Sequence, residues 1–183
     1  MRFFRRFGRD QRGVSAVEFA LIAPFMILLY FGLAELCQAL IAERKASHVA
    51  SAVGDLVAQS ESVTAASTST GPTSLPDIFK IGNQIMAPYD TSTLQIRVTS
   101  VTANSTAVPK VDWSVGYGGY AALSKAATAT LPMTLTAGDS IVMAEVKYRY
   151  NSAIGYALPK VQDYTEAFYL RPRRSDKVTC ADC

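Results

Sequence analysis

The chain has 183 residues, nearly half of them apolar, which is enough material for one sizeable core, and a formal net charge of +3. Arg2, Arg5, Arg6, Arg9 and Arg12 against Asp10 put +4 into the first thirteen residues and leave about −1 for the rest. That distribution excludes a nucleic-acid surface, which needs a basic patch on the folded part with stacking aromatics beside it. It describes a basic cytoplasmic flank, which holds the N-terminus inside and sends the C-terminus across a membrane.

Taken in chain order, the basic segment 1–13 reads as a leader. From Phe19 to Ala34 there is no charged residue, and the helix-compatible run from Val14 to Cys37 covers 24 positions. At 1.5 Å per residue it extends about 36 Å, enough to cross a hydrocarbon core of about 30 Å. The apolar part of a secretory signal is usually only about 7–15 residues long, so 14–37 is expected to be a retained transmembrane helix. Pro24 and Gly32 lie inside it, and both residue types are commoner in membrane helices than in soluble ones.

The helical pattern continues over 38–60, where Ala42, Ala46, Val49, Val53 and Leu56 recur at spacings of three and four, an amphipathic continuation. The helix from Val14 to about Ser60 is then on the order of 70 Å long. Residues 61–183 form the expected periplasmic α+β module. Its first stretch, Ser60 to Ser74, has loop composition. Pro76 to Ala87 then reads as a short helix burying Ile78, Phe79, Ile81, Ile85 and Met86.

From Leu94 the period becomes two. Leu94, Ile96 and Val98 form one alternating set; Val111, Trp113, Val115 and Tyr117 form a second; Val142, Ala144, Val146, Tyr148 and Tyr150 form a third. A last strand is expected over Tyr164 to Leu170. Four successive strands predict an antiparallel sheet with one face solvated and the other packed on the amphipathic half of the long helix.

Chemistry-bearing residues are few. His48 is the single histidine, so a multi-histidine metal site is excluded, and no nucleophile and base stand together; neither enzyme activity nor a metal or cofactor is expected. Cys180 and Cys183 at the C-terminus are a possible disulfide if the module is exported into an oxidising compartment. A redox-catalytic pair of that spacing would open a helix, whereas here the chain stops.

The sharpest signal is the run from Arg12 to Phe19. A carboxylate near the start of a membrane helix is costly, so Glu18 needs a reason to be there. Arg12 is one candidate partner. A second arises if the chain is cut after Gly13, because the new α-amino group of Val14 would be largely protonated at neutral pH and lies four residues from Glu18 on one helical face. A plain interfacial Glu18 that reaches the headgroups is the third reading.

A basic leader ending in Gly13, followed by an apolar helix with Glu18 and Phe19 at the fifth and sixth positions after the break, resembles the type IV prepilin processing motif in its Glu-Phe form. The run R-G-V-S-A-V-E-F-A-L-I-A-P-F from Arg12 to Phe25 is especially similar to TadE-like minor pilins of tight-adherence (Tad) pilus systems. The segments Val142 to Tyr150 and Tyr169 to Arg173 are similar to their tails, though that pattern is looser.

The resemblance implies a pilin-like fold, cleavage between Gly13 and Val14 by a membrane prepilin peptidase, and an assembly role for Glu18 and Phe19. It further implies other pilin subunits, an inner-membrane platform and an assembly ATPase as partners, besides membrane lipid. The location implied is the bacterial inner membrane, crossed once, with the module periplasmic or carried into a pilus. Principal Tad pilins are very short, whereas this chain carries a long module, which favours a minor pilin or pseudopilin. Two alternatives remain: a stationary bitopic scaffold of the same apparatus, unprocessed, and a secreted product cut near Glu43.

Overall fold

A computed structural model describes residues 13–66, 71–152, 155 and 157–183 of the protein. Residues 1–12 of the expected leader, with Arg12, lie outside the described residues.

The apolar run and the amphipathic run form one continuous helix, α1 (Val14–Ala58). Its two halves differ in what surrounds them. From Val14 to Ala34 no residue is buried, so among the described residues an apolar cylinder stands largely free, with Ala157 against it at Gly32. Beyond that point the stripe Ala39, Ala42, Ala46, Val49, Ala50, Val53 and Val57 is buried against the module, while Leu56 is half-buried at its margin.

A short helix, α2 (Leu75–Met86), starts with Pro76 in its first turn, where proline's fixed φ and missing N–H cost nothing. Asp77 sits in the same turn, with Lys80 at 2.8 Å and the Gly71 amide at 2.9 Å, and these partners hold its carboxyl below the ordinary range. Ile78, Phe79 and Met86 are buried as the pattern predicted, but Ile81 is exposed. The face beside it is Gly82, where an added Cβ would lie 3.1 Å from Val49 and 2.7 Å from Ile96; the backbone approaches α1 too closely for a side chain.

Four strands, β2 (Gln95–Ala103), β3 (Pro109–Tyr117), β4 (Ser140–Asn151) and β5 (Val161–Leu170), make an antiparallel sheet in the order β3-β2-β4-β5. The fold is therefore α+β, with the long helix lying on the sheet. Ile96, Val98, Val142, Val146, Tyr148 and Tyr150 share one core with α1 and α2. Gly54 marks the closest approach, since a Cβ there would stand 2.7 Å from Leu170 and 3.1 Å from Ala144.

Two expectations are corrected. Val111 does not share a face with Trp113: the register passes from Ser100↔Trp113 to Val101↔Val111, so Asp112 is an extra residue, a β-bulge, and alternation resets across it. Nor is the far face wholly solvated. Val101, Ala103, Val111 and Ile141 form a second core there with Ala129 and Leu135, contributed by the irregular chain between β3 and β4. Strand periodicity shows which residues share a face but not that a loop covers it.

A feature absent from the pattern reading is a parallel two-stranded pair, β1 (Ser62–Val63) with β6 (Thr179–Cys180). It fastens the C-terminal tail beside the end of α1. Trp113 Nε1 donates to the carbonyl of buried Val178 at 2.8 Å, and the Arg173 amide donates to the Ala58 carbonyl at 2.9 Å.

Candidate functional site

The free half of α1 carries the residues singled out by sequence. Gly13 is the helix N-cap, with ordinary helical backbone angles (φ −97°, ψ −5°) and no heavy atom within 4 Å of where a Cβ would stand. Neither its conformation nor packing among the described residues requires glycine there. Val14 is 49% and Phe19 67% exposed, and Glu18 is exposed between them. Among the described residues no cation stands within ion-pair distance of Glu18, so its charge is unneutralised inside the described chain. Helical geometry does put Val14 and Glu18 one turn apart on one face.

A second carboxylate lies where the free half of α1 meets the module, and pattern reading passed over it. Glu35 is 3% exposed. Its Oε1 accepts from the Ser152 hydroxyl and from the Gly155 amide at 2.7 Å, and its Oε2 accepts from the Ala157 amide at 2.8 Å. Ser152, Gly155 and Ala157 thus converge on one helix side chain. At Gly32, a turn earlier, an added Cβ would stand 3.4 Å from the Ala157 Cβ, an ordinary contact that shows how close Ala157 lies to α1. The signal was present in the sequence as a second acid, after Glu18, inside the apolar run, which is itself a reason to look for its partners.

The same end of the module is fixed from the other side. Lys45 Nζ donates to the carbonyls of Ile85 at 2.9 Å and Ala87 at 2.7 Å, and the Tyr89 hydroxyl lies 2.8 Å from Gln38 Oε1. Tyr150 beside them has its hydroxyl pushed upward in pKa by burial and then by the Glu35 charge. These contacts hold the module on α1 as one body.

At the far end, Cys180 and Cys183 are joined by a disulfide, with Cα atoms 5.7 Å apart. Asp182, inside that ring, accepts the amides of Ala65 at 2.9 Å and Ala66 at 2.8 Å, which hold its carboxyl below the ordinary range. Cys180, Asp182 and Cys183 are close enough to suggest a metal trio, but both sulfurs are spent in the bond and the carboxylate is already engaged. The arrangement is a staple for the tail. Cys37 is free and exposed on α1, and His48 is exposed farther along it.

No curated protein and no solved structure matches this chain. A model of the TadE-like protein family matches residues 13–55, from the N-cap glycine through the free half of α1 and most of the half that packs on the module. The match covers less than a quarter of the 183 residues and stops before the sheet begins. Over residues 13–55 the chain is similar to TadE-like proteins.

Proposed function

We propose that this protein is a minor pilin or pseudopilin that takes part in assembling a Tad-type pilus or secretion apparatus after a prepilin peptidase cuts between Gly13 and Val14. One observation carries the reading: the TadE-like segment begins at a glycine that no packing among the described residues requires, and five residues on it presents an exposed carboxylate, with no described cation in reach, on the apolar half of α1. An unpaired acid at membrane depth is expensive, whereas the amine released by cleavage supplies a counter-charge on the same face. Between staggered subunits each chain offers one amine and one carboxylate, and the pair sets the stagger. Other pilin subunits, the platform and the assembly ATPase are the partners of such a subunit. The leader stays cytoplasmic, α1 crosses the inner membrane once, and the module is periplasmic until any incorporation.

The test is Glu18→Gln in the native host, with cleavage, membrane level and surface piliation measured together. Cleavage and membrane level should stay normal while assembly is lost. Normal pili would refute the pairing role, and a wild-type chain left uncut beside an active peptidase would favour the stationary scaffold.

A further inference from the structure

We infer that the membrane-proximal rim of the module, the β4–β5 connection around Gly155 and 157–160, docks into the lipid of the bilayer leaflet through which α1 leaves the membrane. This rests on α1 being the membrane anchor, and the experiment separates the two claims.

Counting about 30 Å of hydrocarbon from Phe19 at 1.5 Å per residue ends the apolar core near Gln38. Gly32 then lies about 9 Å inside that boundary, within the 5–10 Å reach of interfacial protein segments. Ala157 sits against Gly32 and, with Gly155, is bonded to Glu35 about 4.5 Å nearer the boundary, so these two residues of the rim lie inside it. On the side of α1 turned away from the module the surface stays apolar from this depth out past the boundary, with Leu33, Leu36, Leu40 and Ile41 exposed, and charges return only at Glu43 and Arg44.

The rim is built for that place. Ala157 and Pro159 are exposed and Leu158 is half-buried, with Lys160 the first charge after them, suited to lipid phosphates. Irregular backbone survives at membrane depth only when its polar groups are satisfied from within. Here the Glu35 carboxylate takes the Gly155 and Ala157 amides and the Ser152 hydroxyl. Tyr89, bonded at Gln38 where the hydrocarbon should end, occupies the level that membrane tyrosines favour.

The test uses the full chain at one copy per lipid nanodisc, in a Cys37→Ser background, with single nitroxide labels after Leu29→Cys, Ser105→Cys, Pro159→Cys or Lys160→Cys. Collision with oxygen, which partitions into lipid, is compared with collision with a water-soluble nickel complex. The oxygen-to-nickel ratio at 159 should exceed that at 105 several-fold and approach that at 29, with 160 between them. Adding Glu35→Ala should move the ratio at 159 toward that at 105. Lipid contact at 29 with 159 and 160 as wet as 105 overturns the docking alone; a wet label at 29 overturns the anchor as well. Shielding at 159 that appears only when copies are crowded would make a second subunit the occupant and overturn the inference.

Discussion

The Ser152 hydroxyl donates to the Glu35 carboxylate across 117 residues of sequence, joining the end of β4 to the helix turn at which α1 ceases to be free. Buried acids are tolerable when donors surround them, and Glu35 has a hydroxyl and backbone amides on its two oxygens. The consequence is mechanical: force or rotation applied to the apolar half of α1 is transmitted to the sheet at this joint as well as through the stripe from Ala39 to Val57.

Glu35→Ala is expected to loosen that joint. It strips the Ala157 amide of its acceptor and leaves the Gly155 amide with only Ser152 Oγ at 3.2 Å. Losing the charge-assisted hydrogen bonds of these two part-buried amides costs about 1–3 kcal/mol. Denaturation of the full chain in detergent reads the loss, and amide exchange at Gly155 and Ala157 should accelerate before exchange in β2 does.

Trp113→Phe tests how the tail is held. The substitution keeps most of the ring packing but removes the donor to the Val178 carbonyl, which stays buried. About 1–2 kcal/mol should be lost, and the tail, including the β1–β6 pair, should exchange faster. Unchanged stability and tail protection would show that the disulfide and strand pair suffice.

The Asp182 staple carries a pH dependence of definite sign. Amides of Ala65 and Ala66 lower its folded pKa, so its contribution is present in full above the unfolded carboxylate value. It is lost as pH falls through the lowered folded value. Protection of the Ala65 and Ala66 amides relative to other exposed amides should therefore hold at neutral pH and collapse only below the ordinary carboxylate range. Asp182→Ala should remove that protection at every pH.

Much of the architecture was legible because the relevant signals are local. An unbroken apolar span followed by a stripe at spacings of three and four gives a helix end within two residues of the observed Ala58, and the alternation from Val142 to Tyr150 locates the central strand β4. What escaped was non-local. The bulge at Asp112 depends on β2's register, the second core depends on a loop folding back, and the β1–β6 pair joins segments too short to show a period. At the candidate site, Gly13, Val14, Glu18 and Phe19 were read from a linear motif, and the cysteine pair from its spacing. Glu35 was missed because its donors come from the far end of β4.

The central claim is that this chain is a processed subunit whose assembly chemistry begins at Val14. Intact-mass analysis of the protein purified from its native host membrane tests it most directly. The mass should correspond to a chain beginning at Val14 with the Cys180–Cys183 disulfide closed, and Gly13→Leu should restore the mass of the uncut chain. A wild-type mass that retains residues 1–13 in a host with an active prepilin peptidase would contradict the account.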